Sequence, residues 1–155
     1  MQKMLRTNWK VADPLFRGDS NSGVSIPTVN ASDNIVRHIL YLEGLGRETP
    51  YLSTSEAWEA ARHFAGSDGI VWATLSASAR KKGVRHWTKK ELLGLLKGKG
   101  KGKAAWRSAA EVAQACRYVE QWSEHLLDFS LLEQKSAENS VGAVFSKTKD
   151  RKRKS

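Results

Sequence analysis

The sequence contains little cysteine and no long apolar run, and both absences narrow the possible classes of protein. The single cysteine, Cys116, excludes an internal disulfide, so the fold does not depend on an oxidising compartment. No stretch approaches the roughly eighteen consecutive apolar residues that a membrane span needs. Residues 1–12 lack the continuous apolar core of a signal peptide. We therefore expect a cytoplasmic protein that makes no membrane contact.

Spacings typical of metal sites are also absent. The four histidines, His38, His63, His86 and His125, lie far apart in the sequence, and one cysteine does not complete a zinc set. The alternating lysines and glycines of residues 97–103 do not form a Walker phosphate-binding loop, since no Lys-Ser or Lys-Thr follows at the required spacing. The sequence therefore predicts no metal site.

The apolar content predicts one globular domain. Hydrophobic residues make up 40% of the 155 positions, and six residues are tryptophan, which is enough to build a single core. We expect this domain to span residues 1–133. Residues 134–155 are predicted to form a basic, partly disordered tail, because residues 141–145 are their only apolar group.

The net charge of +10 is concentrated in two places. Residues 80–107 carry eleven basic side chains against one acidic, and residues 147–155 carry six against one, whereas the rest of the chain is mildly acidic. A concentrated cationic face is typical of proteins that bind RNA or DNA, because phosphate neutralisation releases counterions. A solvated loop, or a surface for an acidic inhibitor, also accounts for this charge. The candidate nucleic-acid contacts are the cations in and beside the lysine–glycine run: Lys97, Lys99, Lys101, Lys103 and Arg107.

Hydrophobic spacing and turn residues predict an α+β fold in which short strands alternate with helices. The predicted strands are residues 14–16, 49–53 and 69–75, and the predicted helices are residues 35–45, 56–65 and 89–96. From Ala104 to Leu126 apolar residues recur every three or four positions, which predicts a long helix. Residues 124–129 fit either the end of that helix or a separate strand.

Two short segments combine the residue types that bind a phosphate-bearing ligand. In residues 15–20, Arg17 ends an apolar run and is followed by Gly18. Arginine binds phosphate through a planar fork of donors, and glycine allows a backbone to approach a ligand closely. Residues 51–55 end in three consecutive hydroxyl side chains, directly before an alanine-rich helix.

The order of these segments resembles that of the NAD-dependent mono-ADP-ribosyltransferases, in the arginine–serine–glutamate branch that includes cholera-like toxins. The resemblance rests on Phe16-Arg17-Gly18-Asp19-Ser20, then Tyr51-Leu52-Ser53-Thr54-Ser55, then the alanine-rich helix and a strand at residues 70–75. It covers residues 14–76 well and the rest of the chain loosely. It implies a small split mixed or antiparallel β-sheet core with flanking helices, and NAD as a substrate.

The resemblance also implies a role for each residue of the two segments. Arg17 would bind the NAD phosphates, and the backbone at Gly18 would pair with the nicotinamide amide. Ser53 would orient a catalytic glutamate, while Thr54 and Ser55 would support the turn. Cleavage of the nicotinamide–ribose bond passes through a cation-like transition state, which a nearby carboxylate stabilises.

The catalytic glutamate is less well defined by the sequence. The family places it late in the domain at the start of a strand, and Glu124 is the first candidate, since a strand can follow it. Glu120, Glu111 and Glu133 are the alternatives. None of the four has the Glu or Gln that many relatives carry two residues earlier, and Trp122 occupies that position before Glu124.

The resemblance implies a toxin or defence effector that transfers ADP-ribose from NAD to a macromolecule, with a neutralising antitoxin or immunity protein as its partner. The basic segment favours a nucleic-acid acceptor slightly over a protein acceptor. The protein would act in the cytoplasm of its own cell or, if it is delivered as a toxin domain, in that of a target cell. Two alternatives are a nucleic-acid-binding module without catalysis, and a metal-independent ribonuclease toxin that uses His86 or His125 with the lysines.

Overall fold

The computed structural model describes residues 8–40, 48–98 and 102–148. The strands in this part of the chain are β1 (Leu15–Asp19), β2 (Tyr51–Ser55), β3 (Ile70–Thr74), β4 (Arg85–Trp87), β5 (Glu124–Asp128) and β6 (Ser146–Lys147). The helices are α1 (Ile35–Ile39), α2 (Trp58–Ala65), α3 (Ser76–Lys81), α4 (Lys89–Lys97), α5 (Ala109–Trp122) and α6 (Gln134–Val144). Among these helices, none is long and apolar enough to cross a membrane.

The strands form one antiparallel sheet in the order β4-β5-β2-β1-β3-β6, which confirms the predicted α+β class. Strand β1 pairs with β3 along its whole length, from Leu15 to Asp19. Its register with β2 is a single pair, Phe16 opposite Ser55. The sheet therefore opens between β1 and β2, beyond that pair.

The two faces of the central strands carry separate cores. On one face, Tyr51 and Leu126 pack with the apolar sides of α1, α4 and α5. On the other face, Leu52 and Leu127 pack with residues of α3 and α6. Alternate residues of a strand point to opposite faces. The neighbouring side chains of Glu124 and His125 therefore lie on opposite faces of the sheet.

Strand β5 resolves the alternatives at residues 124–129. Helix α5 ends at Trp122, and Ser123 adopts the left-handed conformation with φ of 46°. This residue reverses the chain, so that Glu124 begins a strand whose five residues are all buried. The helical spacing that continues through Leu126 is coincidental, because β5 follows α5 within two residues.

Residues 134–148 differ from the predicted tail. Helix α6 buries Ala137, Val141 and Val144 against the sheet, and β6 pairs with β3. The side chain of Gln134 accepts a hydrogen bond from the Val29 amide at 3.0 Å. The boundary after residue 133 therefore does not separate a core from a tail, and the basic residues 149–155 lie outside the described residues.

Candidate functional site

A cleft of about 1070 Å³ opens where β1 and β2 diverge. The two strands, the Ala61–Ala65 side of α2 and the end of α5 form its walls. Every predicted NAD-site residue of the two motifs lines the cleft, and so does the predicted catalytic glutamate: Arg17, Gly18, Ser53, Thr54, Ser55 and Glu124. The fold thus brings together residues that the sequence separates by more than one hundred positions.

Ser53 and Glu124 are in direct contact at the floor of the cleft. The Ser53 hydroxyl donates to Glu124 Oε2 at 2.8 Å. They lie diagonally across the β2–β5 pair, since Ser53 is opposite Leu126 and Glu124 is opposite Ser55. Glu124 is 9% exposed, so its carboxylate is held at a defined position beside the cleft.

Arg17 bridges β1 and β2 at the point where their backbones part. Its Nη1 donates to the Ser53 carbonyl at 3.0 Å, and its Nε donates to Asp19 Oδ2 at 2.9 Å. The side chain is 17% exposed. The guanidinium is therefore fixed on the wall of the cleft and provides it with a positive charge.

Asp19 is a site residue that the sequence motif contains but to which we assigned no role. Its carboxylate accepts from the Ser20 and Ser25 amides, both at 2.8 Å, and from the Ser25 hydroxyl. Burial tends to raise the pKa of Asp19, but the Arg17 charge and these hydrogen bonds outweigh it, so the pKa lies below its ordinary value. The ionised Asp19 holds both Arg17 and the following loop in place.

The other two hydroxyls of the triplet attach β2 to the start of β5. Thr54 donates to the His125 carbonyl at 3.1 Å, and Ser55 donates to the Trp122 carbonyl at 2.6 Å. Ser55 also accepts from the Ala57 amide at 3.0 Å, at the entrance to α2. These contacts hold the end of β2 against the start of β5 and against the entrance to α2.

Gly18 has a packing role in addition to its place on the cleft wall. A Cβ added there would lie 1.9 Å from the Ala61 carbonyl oxygen and 2.5 Å from the Ala65 nitrogen. Because no side chain fits, helix α2 packs directly on the β1 backbone. The glycine therefore lets the backbone of helix α2 approach the strand closely.

The alternative glutamates lie away from the cleft. Glu120 pairs with Lys97 at 3.4 Å on the α4 side of α5. Glu111 accepts from the Trp106 indole at 3.1 Å, and Glu133 is the residue that precedes α6. Of the four candidates, Glu124 alone lines the cleft and contacts Ser53.

The described members of the predicted nucleic-acid surface are partly engaged with the protein itself. Lys97 contacts Glu120, Lys103 pairs with Asp33 at 2.5 Å, and Arg107 is exposed. Lys99 and Lys101 lie outside the described residues. Trp87, a suggested base-stacking residue, is 7% exposed and donates to Asp128 at 3.1 Å, so its ring is not accessible.

The rim of the cleft carries an aromatic cluster. The His63 ring stacks on Trp122 with centroids 5.2 Å apart, and Phe64 meets Trp122 edge-on at 4.9 Å. Phe64 is 47% exposed. Phe64 and Trp122 line the cleft mouth, so an incoming molecule would meet apolar rings there.

Two buried histidines and the partly exposed Glu56 form a hydrogen-bonded row on the opposite face of the sheet. His86 Nε2 lies 2.7 Å from His125 Nδ1, and His125 Nε2 lies 2.7 Å from Glu56 Oε2. His86 and His125 are 5% and 1% exposed. This burial excludes a polynucleotide from both imidazoles, so the geometry does not support a ribonuclease that uses them.

The histidine row predicts a pH-dependent stability. Burial, helped by the charges of His125 and Arg80 and opposed by Glu91, lowers the pKa of His86 to about 4. Burial also lowers the pKa of His125, although Glu56 opposes it. An unfolded histidine titrates near pH 6.5, so between pH 6.5 and pH 4 the unfolded chain binds more protons. The stability that depends on the neutral histidines should be fully present above pH 6.5. As the pH falls towards 4, the free energy of unfolding should decrease by about 2 kcal/mol, after allowance for solvent screening.

Urea unfolding of the wild type and of His86→Gln from pH 7 to pH 4 tests this. Gln keeps an amide donor for His125 and does not titrate, so its stability should fall less steeply over this range. Equal slopes for the two proteins would contradict the assignment of the pH dependence to His86.

Comparison of the chain with protein-family models, with curated proteins and with solved structures found no match.

Proposed function

We propose that the chain is a mono-ADP-ribosyltransferase that transfers ADP-ribose from NAD to a macromolecule. The observation that carries the proposal is the Ser53–Glu124 hydrogen bond of 2.8 Å inside a cleft whose wall holds Arg17. A cation for a diphosphate and an oriented carboxylate are the two charges that this chemistry needs. The cleft is also large enough for a dinucleotide, since its volume is about 1070 Å³.

Each charge has a distinct task in this proposal. Arg17 binds the diphosphate, with its own orientation fixed by Asp19 and by the Ser53 carbonyl. Glu124 stabilises the positive charge that grows on the ribose as its bond to nicotinamide breaks. Nicotinamide leaves with the electron pair of that bond. The acceptor then supplies an electron pair to the same ribose carbon and loses its proton to solvent.

A nucleic acid is the acceptor that we favour. The chain carries a net charge of +10, which promotes encounter with a polyanion. The aromatic rim formed by Phe64, Trp122 and His63 offers rings on which a base can stack. Trp122 also lies two residues before Glu124, where the family that the sequence resembles often has Glu or Gln. A neutralising antitoxin or immunity protein is the expected partner in the producing cell.

Labelled NAD mixed separately with RNA, DNA and cell lysate tests the function. We expect label on one acceptor class and release of nicotinamide in proportion.

Arg17→Ala should raise the KM for NAD by about 10- to 100-fold, because it removes a charged hydrogen-bond donor. Arg117→Ala is the matched control: it removes an exposed cation of α5 that does not line the cleft, and it should leave that KM unchanged.

The same experiment separates the alternatives. Binding of RNA or DNA without nicotinamide release would indicate a binding module, and RNA cleavage without NAD would indicate a ribonuclease. Label on protein alone would retain the transferase and reject the nucleic-acid acceptor. An unchanged KM in Arg17→Ala would reject the assigned phosphate site.

A further inference from the structure

His38 lines the cleft beside Ser53, although the sequence gives it no motif. Its Nε2 is 2.7 Å from the Ser53 hydroxyl oxygen, and its Nδ1 is 2.8 Å from the Thr49 hydroxyl oxygen. The imidazole is 3% exposed and packs edge-on against Tyr51, with centroids 5.4 Å apart. A continuous row of hydrogen bonds therefore runs from Thr49 through His38 and Ser53 to Glu124.

With Glu124 ionised and the His38 ring neutral, the protons along this row have one consistent arrangement. Glu124 as a carboxylate accepts only, so the single Ser53 hydroxyl proton points to Oε2. The Ser53 oxygen then needs a donor on its other side, which is His38 Nε2–H. Nδ1 of the neutral ring must accept, and the Thr49 hydroxyl donates to it while accepting from the Tyr51 amide at 3.2 Å.

This arrangement is not that of a nucleophilic serine activated by a histidine. A serine beside a histidine that a third group orients is the pattern of a nucleophilic hydrolase. In that pattern the imidazole accepts the serine proton, whereas here the proton is engaged by Glu124 and the imidazole donates. Ser53 is therefore oriented to serve Glu124 and is not activated as a nucleophile.

We propose that His38 is a positioning residue that acts through Ser53: its Nε2–H fixes the Ser53 hydroxyl so that this hydroxyl donates to Glu124 and holds the carboxylate at the cleft. The inference rests on the proposed function, because the carboxylate needs a fixed position only if it acts on a bound substrate. Without the donor, the Ser53 hydroxyl is free to rotate away from Glu124, and the carboxylate loses the hydrogen bond that this hydroxyl donates.

The first arm of the test does not depend on NAD. Nitrogen-15 NMR of the imidazole in the wild-type protein near pH 7.5 reports which ring nitrogen of His38 carries the proton. We expect the proton on Nε2, with Nδ1 unprotonated. A proton on Nδ1, or on both nitrogens, would overturn the proposal whatever the enzyme does.

The second arm uses kinetics of NAD consumption with two matched variants. His38→Gln carries its amide donor near the Nε2 position, whereas His38→Asn carries it near the Nδ1 position. We expect His38→Asn and His38→Ala to lower kcat by about 10- to 100-fold with the KM for NAD little changed. His38→Gln should recover most of the lost rate. A merely structural role for His38 would not separate Gln from Asn in this way.

A double substitution checks that His38 acts through Ser53. If it does, His38→Ala combined with Ser53→Ala should be no slower than Ser53→Ala alone, because coupled residues give non-additive losses. Additive losses, or wild-type kcat in His38→Ala, would overturn the proposal. Failure of the wild type to consume NAD would instead count against the proposed function, and the NMR arm would still decide the role of His38.

Discussion

Glu124→Gln should lower NAD consumption by about 10²- to 10⁴-fold, the range expected for loss of a charged group that acts in the transition state. Gln has the same shape and keeps an oxygen that can accept from the Ser53 hydroxyl, so the hydrogen bond of 2.8 Å is conserved. It lacks the negative charge that, in the proposed reaction, stabilises the ribose cation. Because that charge acts mainly as the bond breaks, kcat should fall and the KM for NAD should change little.

Glu120→Gln is the matched control for this substitution. Glu120 lies two residues before Trp122 on α5, and its contact is the exposed pair with Lys97 at 3.4 Å. Exposed ion pairs contribute little to stability, so NAD consumption should stay within about twofold of wild type. Comparable losses in the two variants, or a fully active Glu124→Gln protein, would reject Glu124 as the catalytic carboxylate.

Gly18→Ala should destabilise the protein by about 3 kcal/mol, the upper part of the range for an overpacked site. The added methyl group would lie 1.9 Å from the Ala61 carbonyl oxygen. That oxygen belongs to the helix backbone, so relief requires α2 to move off β1. Since Ala61, Phe64 and Ala65 line the cleft, the same movement should weaken NAD binding.

Gly94→Ala provides the control for Gly18→Ala in the same urea unfolding experiment. Gly94 lies within α4, and a Cβ added there meets no atom within 4 Å. Alanine in a helix interior is favoured over glycine, so this variant should gain about 0.5 to 1 kcal/mol. A Gly18→Ala protein as stable as wild type would contradict the close packing of α2 on β1.

The sequence predicts much of the fold because several elements carry strong local signals. Helix α4 begins after Thr88, whose side chain and that of Glu91 form a capping box. Helix α2 ends at Gly66, and the strand predicted at residues 69–75 corresponds to β3. Helix α6 is not predicted by the sequence, because two of its four buried residues, Ala137 and Ser140, are small or polar and give little apolar signal, and its stabilising contacts come from distant strands.

The sequence also predicts the residues that line the cleft better than the histidines that hydrogen-bond around them. The two motifs and Glu124 follow from resemblance, and the fold brings them together at one cleft. His38 and the pair of His86 with His125 have no local pattern, because their contacts depend on which strands become neighbours. His125 follows Glu124 directly, yet it faces the opposite side of the sheet.

A crystal structure of the Glu124→Gln protein with NAD shows whether the cleft between β1 and β2 is the NAD site, because this variant should bind NAD without consuming it. We expect the dinucleotide in the cleft between β1 and β2, with its diphosphate on Arg17 and the nicotinamide-bearing ribose beside position 124. NAD bound elsewhere, or an empty cleft at saturating NAD together with no detectable binding in solution, would contradict the account.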